Sequence, residues 1–292
     1  MDSTELVSVV VTTYNRSDAL VAVLAGLSRQ TDLNFEVIVA DDGSRNEHTD
    51  TVLASPEANH LAGHLAHCKG FTHIWHPDTG FTAGKARNRG VAAARGNYLV
   101  FLDGDCVPEI DFIALHRRLA QPACFVNGSR ILLSPRWTQK CLDGSENIIG
   151  RSGFYWAQRW LCKDVNRLIG VLRLPDGNYR VKPGFEWKGI RSCNMAVWRS
   201  DFEMVDGFDE SFVGWGHEDA DLVLRLHHAG ILRKNGFCAT EVFHLWHPEA
   251  SRQQESANAM RVRERSKGNQ TRADLGYAQT RIGDDVVVTR LG

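Results

Sequence analysis

Several common features are missing from this chain of 292 residues. Its 7 cysteines are scattered singly and form no Cys-x-x-Cys pair, so neither a disulfide framework nor a zinc site is indicated. No apolar run approaches the roughly 18 residues that a membrane span needs. No signal-peptide pattern precedes the first strand, which begins near Leu6. We therefore expect a cytoplasmic protein with reduced thiols, in which Cys106 is a buried spectator.

Excess charge is missing as well. The formal net charge is −1 and no long basic stripe occurs, which argues against binding to nucleic acid. The loop at residues 12–17 contains no glycine, so the phosphate loop expected of a nucleotidyltransferase is not there. By contrast, 43% of the residues are hydrophobic, which is ample for a packed core.

The first hundred residues alternate between strand and helix patterns. Residues 7–11 and 35–40 predict buried parallel strands, and apolar residues at helical spacing between them predict a helix that ends near Gln30. Residues 72–75 predict a short strand, and residues 83–94 predict a helix. This succession is typical of right-handed βαβ units and predicts an α/β fold with a Rossmann-like, mostly parallel sheet.

A buried strand at residues 98–102 runs into Asp103, Gly104 and Asp105. On an extended chain residues two apart point to the same side, so both carboxylates could address one cation. Gly104 would leave room for a ligand against the backbone. Oxygen ligands suit Mg²⁺ or Mn²⁺, which often join carboxylates to nucleotide phosphates. A solvated turn explains the same residues equally well.

Polar residues recur where the predicted strands end. In such sheets ligands bind at the carboxyl ends of the strands. The polar residues at these ends are Thr12, Tyr14, Asp42, Asp103 and Asp105. Their coincidence indicates a binding site more strongly than any one of them does.

A second acidic cluster lies further along the chain. Gly214 and Gly216 allow a tight loop before a helix that stops at Gly230, with Glu218 and Asp219 in its first turn. The two carboxylates either complement the helix dipole or divide the work of a general base. These readings conflict, because the dipole lowers a carboxyl pKa while a base benefits from a raised one.

Two histidines follow this helix. His244 and His247 have a spacing that one helix face could use for a shared ligand. Pro248 and the β-branched Val242 favour an extended or turn conformation instead. We therefore expect only one of the two histidines to point inward.

The segment 128–188 is irregular and rich in Trp and Arg. A helix at residues 153–169 would present one apolar face: Phe154, Leu161, Val165 and Leu168. We interpret this face as packed on the core, with a membrane-surface helix as the alternative. Beyond Pro248 the chain is polar, and the charged patch at residues 261–265 is expected to be solvated.

From Val7 to Pro248 the chain resembles family-2 inverting glycosyltransferases of the GT-A fold. The motifs of the donor half appear in order: VVVTTYN (9–15), VADDGS (39–44), GKARN (84–88) and FLDGD (101–105). The later motifs SCNM (192–195), VDGFD (205–209) and GWGHED (214–219) are similar to a galactosyltransferase segment. That segment also occurs in bacterial chondroitin-type polymerases and polypeptide N-acetylgalactosaminyltransferases.

This resemblance implies an α/β GT-A fold with an acceptor-side subdomain. Residues 1–127 would bind the nucleotide sugar, 128–248 would form the acceptor-binding and catalytic half, and 249–292 a polar extension. The implied reaction is metal-dependent transfer of a hexosyl or N-acetylhexosaminyl group from a UDP-sugar, with inversion. The acceptor would be a carbohydrate, a lipid-linked glycan or a peptide, and peripheral association with a membrane is compatible with it.

The resemblance also implies roles for residues on the donor side. Asp42 would read the uracil edge, with Thr12 and Tyr14 lining the base pocket. Lys85 and Arg87 would neutralise charge that develops on the leaving diphosphate.

The implied metal is Mn²⁺ or Mg²⁺. Asp105 would bind it across the diphosphate, and Asp103 would contact the ribose, a metal-bound water or the ion itself. His244 matches the later histidine ligand of the family by its place in the chain, and His247 is the alternative.

On the acceptor side, Asp219 corresponds to the catalytic base and Glu218 to its neighbour that orients the acceptor. Trp215 would contact both sugars, and Asn194 the acceptor. His217 departs from the family, where a second glycine is usual, and this could alter access around the donor sugar. A nucleotidyltransferase and a catalytically inactive carbohydrate-binding relative remain the alternatives.

Overall fold

The computed structural model describes residues 1–2, 4–63, 70–168, 172–186, 189–248, 254–280 and 285–291. In the first part of the chain strands and helices alternate as predicted. The strands are β1 (Val7–Thr13), β2 (Phe35–Asp41), β3 (Phe71–Trp75), β4 (Tyr98–Asp103), β5 (Cys106–Pro108) and β6 (Cys124–Asn127). The helices are α1 (Ser17–Leu27), α2 (Asn46–Leu53), α3 (Pro56–Gly63), α4 (Ala83–Ala93) and α5 (Phe112–Leu119).

The second part is less regular. Its strands are β7 (Arg130–Leu132), β8 (Val181–Lys182), β9 (Asn194–Trp198), β10 (Leu232–Asn235), β11 (Val242–His244) and β12 (Val287–Leu291). Its helices are α6 (Pro135–Leu142), α7 (Gly153–Leu161), α8 (Arg199–Met204), α9 (Glu218–His228) and α10 (Glu255–Arg265). The predicted extended conformation around Val242 is confirmed by β11.

A sheet of 9 strands runs through the molecule in the order β12-β3-β2-β1-β4-β9-β6-β10-β8, and β5-β11-β7 form a smaller sheet. Strands β3, β2, β1 and β4 are parallel, while β9 is antiparallel to β4. In this register Thr12 lies beside Asp103 and Thr13 beside Asp41, so the polar strand ends meet at one edge. The mostly parallel α/β sheet predicted from the sequence is confirmed.

Strand β1 is buried on both faces because each face contacts a different core. Val9 and Val11 join the cluster that contains Leu20 and Leu24 of α1, whereas Val10 joins the cluster under α4 and α9. Helix α4 approaches β1 closely: a Cβ on Gly90 would lie only 2.5 Å from Val10 Cγ1. The sheet therefore holds α4 and α9 on the same face.

The amphipathic helix in the Trp/Arg-rich segment is shorter than predicted and faces the other way. Helix α7 ends at Leu161, since Lys163 adopts a positive φ of 58° and interrupts the helical path. Phe154 is 84% exposed and Leu161 73% exposed, while Trp156 is buried. The prediction of a core-packed face is thus wrong for Phe154 and Leu161, because Trp156 on the opposite side of the helix fills the core. It is confirmed for Val165, which is buried, and for Leu168, which packs against the core.

The C-terminal patch is not fully solvated either. Arg265 is buried and its guanidinium donates to the carboxylates of Asp221, Asp209 and Asp274. Asp221 also accepts from Arg225 at 2.8 Å, within α9. The expectation of a solvated patch is therefore wrong for Arg265, which joins α10 to α9.

Among the described residues the longest helices have 11 residues, and none is long and apolar enough to cross a membrane. The six cysteines in the described part of the chain are free, and Cys106 is buried as predicted. Cys68 lies outside the described residues.

Candidate active site

A cavity of about 640 Å³ opens between the carboxyl end of β4 and the N-terminus of α9. Its walls include Arg87, Asp103, Trp215, Glu218 and Asp219. Arg87 and Asp103 were predicted for the donor side, Trp215 for contacts with donor and acceptor, and Glu218 and Asp219 for catalysis. The fold thus brings residues from distant parts of the sequence to one cavity.

The N-terminus of α9 is shaped by a loop with several left-handed residues. Gly214 and Gly216 have φ values of 81° and 102°, so the predicted tight loop is confirmed. His217, the departure from the family pattern, is also left-handed at φ 70°. A left-handed backbone at this position explains why glycine is the easier residue there. Glu218 and Asp219 follow in the first turn, as predicted.

The carboxylate of Asp219 is held by two backbone hydrogen bonds. Its Oδ2 accepts a hydrogen bond from the backbone N–H of Ser192 at 3.3 Å, and its Oδ1 accepts from the N–H of Ala220 at 2.7 Å. Burial, followed by the charge of Glu218, raises the pKa of Asp219 to about 7. The helix dipole lowers the pKa of a carboxyl in the first turn, but at Asp219 burial raises it by more.

Arg87 links the two halves of the site. Its guanidinium lies 3.0 Å from Asp103 Oδ1 and 3.3 Å from Glu218 Oε1, and it lies over the ring of Phe208. Burial raises the pKa of Asp103, although Arg87 partly opposes this. Two carboxylates from separate motifs thus share one buried cation, which fixes the distance between β4 and α9.

Three side chains form a candidate metal centre beside the cavity. Asp105, His244 and His247 offer ligand atoms that all lie within 4.8 Å of one another. His247 Nε2 is 3.1 Å from Asp105 Oδ2, and His244 Nε2 is 3.7 Å from Asp105 Oδ1. Both histidines point inward, so the expectation of only one is wrong. Because β11 ends at His244, the chain turns afterwards and brings His247 to the same carboxylate.

The protonation states of His244 and Asp105 suit metal binding, whereas the hydrogen bond with Asp105 raises the pKa of His247. Burial lowers the pKa of His244 to about 4, so its imidazole is neutral at neutral pH. Burial acts to raise the pKa of Asp105, but the hydrogen bond from His247 and the charges of both histidines lower it overall. A neutral imidazole and an ionised carboxylate are the forms that bind a cation. Two imidazoles with one carboxylate fit Mn²⁺ better than Mg²⁺, which prefers oxygen ligands.

Asp103 and Gly104 differ from the sequence interpretation. Strand β4 ends at Asp103, so the chain is no longer extended at Asp105, and Asp103 pairs with Arg87 instead of joining the three-ligand cluster. Gly104 leaves no room for a ligand. Its N–H donates to Thr12 O at 2.7 Å, and a Cβ there would lie 3.0 Å from that oxygen. The glycine allows the turn to pack on the end of β1.

The three residues predicted for the nucleobase lie at the neighbouring strand ends. Asp42 is buried and accepts two hydrogen bonds from Thr82, one from the backbone N–H at 2.8 Å and one from the hydroxyl. Burial raises the pKa of Asp42 to about 6. Thr12 Oγ1 is buried without a partner among the described residues, and Tyr14 is exposed. Their proposed contacts with the nucleobase stay predictions.

Asn194 was predicted to bind the acceptor, and its position rules this out. The side chain is fully buried, where its Oδ1 lies 3.0 Å from His116 Nε2 and its amide donates to Ser129 O and Thr240 O. A Cβ on Gly128 would also clash with this amide. Asn194 therefore joins β6, β9 and the start of β11 instead of facing a ligand.

Two arginines that the sequence did not single out line the cavity. Arg130 begins β7 and Arg191 precedes β9, and both face the same space as Asp219. Lys85, which was predicted for the diphosphate, is not part of this wall. Arg130 belongs to the Trp/Arg-rich segment, but that segment has no periodicity that would mark one arginine among many.

Comparison with known proteins agrees with this architecture. The family model for glycosyl transferase family 2 matches residues 8–131, and the model described as the N-terminal domain of galactosyltransferase matches residues 175–247. Asp103 and Asp105 lie in the first region, and Glu218, Asp219 and His244 in the second.

Two curated relatives cover most of this chain. Validoxylamine A glucosyltransferase of Streptomyces hygroscopicus subsp. jinggangensis is 30% identical over 242 residues, which are 77% of this chain and 52% of that protein. Chondroitin synthase of Escherichia coli is 27% identical over 242 residues, which are 76% of this chain and 32% of that protein. The chain thus spans about half or less of the length of these relatives.

The crystal structure of GalNAc-T7 with UDP, GalNAc and Mn²⁺ has the same fold. It superimposes with a TM-score of 0.59 at 16% identity and covers 90% of this chain and 48% of that chain. The fold is therefore the GT-A fold, as predicted. Residues 8–131 thus match glycosyl transferase family 2 and residues 175–247 match a galactosyltransferase-type segment, within one GT-A fold.

Proposed function

We propose that the protein is a metal-dependent inverting glycosyltransferase that uses a UDP-sugar. It would move a hexosyl or N-acetylhexosaminyl group to a hydroxyl of a carbohydrate, lipid-linked or peptide acceptor. The observation that carries the proposal is Asp219, a half-buried carboxyl on the cavity wall whose pKa is raised to about 7. A general base works best when its pKa lies near the operating pH.

The reaction would proceed by one displacement. Asp219 removes the proton of the acceptor hydroxyl while that oxygen forms a bond to the anomeric carbon of the donor. The bond from this carbon to the diphosphate breaks on the opposite face, so the configuration inverts and no enzyme nucleophile is needed. The hydrogen bond from Ser192 to Asp219 Oδ2 would hold the carboxylate in its orientation.

Glu218 and Arg87 would support this base. Glu218 Oε1 accepts from Arg87, while its Oε2 is buried and has no partner among the described residues, which leaves it for an acceptor hydroxyl. Asp103, on the other side of Arg87, would face the donor. The donor half would thus be residues 1–127 and the acceptor half residues 128–248, with Arg87 between them.

Asp105, His244 and His247 would hold the divalent cation. When bound there, the cation would neutralise negative charge on the leaving diphosphate. The uracil would lie at Asp42, and Thr12 Oγ1, which is buried without a partner among the described residues, could also meet the nucleotide. The relatives named for a glucosyltransferase and a chondroitin synthase support a sugar acceptor.

Peripheral association with an anionic membrane is proposed as well. Exposed Phe154 and Leu161 lie on one side of α7, and residues 128–168 contain seven Lys or Arg against three Asp or Glu. The rest of the chain is correspondingly acidic, since the whole has a net charge of −1. An apolar helix face flanked by basic residues is typical of binding at a lipid interface. A cytoplasmic location stays a prediction.

The proposed function is tested by incubating the purified protein with a panel of UDP-sugars and candidate acceptors, with Mn²⁺ or with EDTA. We expect acceptor-stimulated release of UDP with at least one donor, and its loss in EDTA. Asp219→Asn serves as the matched control, because it keeps the size of the side chain and removes its basicity. Nucleotide binding without transfer or hydrolysis of any donor would favour an inactive carbohydrate-binding relative.

A further inference from the structure

The positive charge that is free to meet a ligand in the cavity belongs to Arg130 and Arg191. Among the described residues, no carboxylate oxygen lies within 4.0 Å of either guanidinium, so neither arginine forms an ion pair there. Arg130 Nη1 is 3.9 Å from Cys193 Sγ, and its Nε is buried without a hydrogen-bond partner. A buried guanidinium N–H without a partner is costly, because it has lost its water and gained nothing in return.

Arg87 differs from Arg130 and Arg191 because it forms ion pairs. It lines the same cavity, but its charge is matched by Asp103 and Glu218 at 3.0 and 3.3 Å. The cavity therefore has one wall on which a cation forms ion pairs with carboxylates, and another on which the two arginines form none with the described residues. A neutral sugar does not require that second wall.

The two arginines also act on each other. Burial and then the charge of Arg130 lower the pKa of Arg191, which is the direction expected for like charges held close together. Such an arrangement is unfavourable until an anion enters between the cations. Guanidinium groups bind carboxylates and phosphates through pairs of parallel hydrogen bonds, which suits them to this role.

We propose that Arg130 and Arg191 form an oxyanion subsite that takes a phosphate, carboxylate or sulfate group of a substrate. The inference rests on the proposed function, since it names the chemistry of a substrate in the same cavity. The oxyanion has two possible sources, which are the diphosphate of the donor and an acidic group on the acceptor sugar. A subsite on the acceptor would restrict the enzyme to acidic glycans.

The experiment compares the wild type with Arg130→Gln, Arg191→Gln and the double variant. Calorimetry with UDP, UMP and inorganic pyrophosphate measures binding on the donor side. Transfer to oligosaccharides that end in glucuronate or in glucose measures preference on the acceptor side. The matched control is Arg118→Gln, because Arg118 is exposed on α5, away from the cavity.

Loss of a charge-assisted hydrogen bond corresponds to about tenfold or more in affinity. A fall of that size in pyrophosphate binding and in the UDP-to-UMP affinity ratio assigns the subsite to the donor. A similar fall in the preference for glucuronate assigns it to the acceptor. The proposal is overturned if the double variant matches the wild type in all these measurements. If changes at Arg130 prevent folding, Arg191→Gln alone tests the subsite. Arg191 is exposed, so this substitution should leave the fold intact.

Failure of the proposed function would look different. A wild-type protein that bound pyrophosphate through the arginines but bound no uridine nucleotide would disprove the UDP-sugar assignment and leave the subsite intact. Conversely, the double variant could transfer sugar from a UDP-sugar normally and with unchanged substrate preferences. That result would disprove the oxyanion subsite and support the proposed transferase function.

Discussion

Trp156 of α7 stacks on Phe243 of β11, with 4.1 Å between the ring centroids and 16° between the ring planes. Phe243 immediately precedes His244, one of the three candidate metal ligands. The Trp/Arg-rich segment therefore supports the strand that presents this histidine, although none of its described residues is among the three candidate metal ligands.

Replacing Trp156 should affect both stability and the metal centre. Trp156→Ala is expected to lower the free energy of unfolding by about 3–5 kcal/mol, the usual cost of removing a large buried aromatic side chain. It should also weaken Mn²⁺ binding, because β11 loses its support. Denaturant unfolding and calorimetry measure the two effects. Trp160→Ala is the control: this residue is 47% exposed, and a comparable loss of stability there would contradict the proposed packing role.

The metal centre can be tested one ligand at a time. Asp105→Ala should nearly abolish metal-dependent UDP release, since this carboxylate is the charged ligand of the cluster. His244→Ala and His247→Ala should each weaken Mn²⁺ binding about 10- to 100-fold or more, as loss of a metal-site contact commonly does. Electron paramagnetic resonance of free Mn²⁺ gives the affinities. His60→Ala on α3 should behave as the wild type, and full activity of Asp105→Ala in EDTA would refute the assignment.

The pKa of Asp219 sets an expected pH dependence. Because burial raises this pKa to about 7, kcat/KM should rise as the pH increases through about 7 and the carboxyl loses its proton. Asp219→Asn should bind UDP normally and transfer sugar about 10²–10⁴-fold more slowly. In this variant the rise of kcat/KM near pH 7 should also disappear. Near-normal kcat in this variant would move the base to another carboxylate.

The raised pKa of Asp219 also predicts an effect on stability. A carboxyl whose pKa is higher in the folded state than in the unfolded state keeps its proton longer when folded. The folded state should therefore lose stability as the pH rises from about 4 to 7, since ionisation of Asp219 then costs more in the folded protein. Thermal unfolding at pH 8 should show a higher midpoint for Asp219→Asn than for the wild type.

Asp42 is expected to contribute to donor binding. Asp42→Asn should weaken UDP binding by roughly ten- to a hundredfold, the cost of losing a charge-assisted acceptor. Because burial raises the pKa of Asp42 to about 6, donor binding should also weaken as the pH falls below that value. Calorimetry with UDP at pH 5 and pH 7.5 measures both. Unchanged binding in the variant would exclude contact with the base.

The surface of α7 can be tested with vesicles. The double variant Phe154→Ser, Leu161→Ser should lose most of its binding to vesicles that contain anionic lipid, since these side chains provide the apolar contact. Soluble activity should stay unchanged, because neither residue lines the cavity. The matched control is Met260→Ser on α10, which is also exposed. Equal sedimentation of the wild type with neutral and anionic vesicles, or with none, would exclude a membrane role for this helix.

Much of the architecture could be predicted because local patterns determine it. The valine run of β1 and the glycine loop before α9 each specify a conformation without reference to the rest of the chain. The contribution of Asp219 to the cavity could be predicted for the same reason. Arg130 and Arg191 could not, since their significance depends on lacking a carboxylate partner, and that is a property of the folded molecule.

Other errors have the same origin. Helical spacing predicts that Phe154 and Leu161 share a face, but not whether that face or the one with Trp156 meets the core. Likewise, the sequence around Asn194 does not show that its amide is used up by Ser129 and Thr240. Both cases depend on which neighbours the tertiary fold supplies.

The ion pair between Arg265 and Asp221 bears on how much of the chain the fold around α9 needs. The galactosyltransferase-type match stops at residue 247, yet Arg265 neutralises two buried carboxylates under the helix that carries Asp219. A protein cut after Pro248 would keep every proposed catalytic side chain but would leave Asp209 and part of the charge on Asp221 buried without a counterion. Buried charges that lose their partners are strongly destabilising. The segment beyond Pro248 thus supports α9 from inside the fold, and the two family matches end before the part of the chain that stabilises this helix.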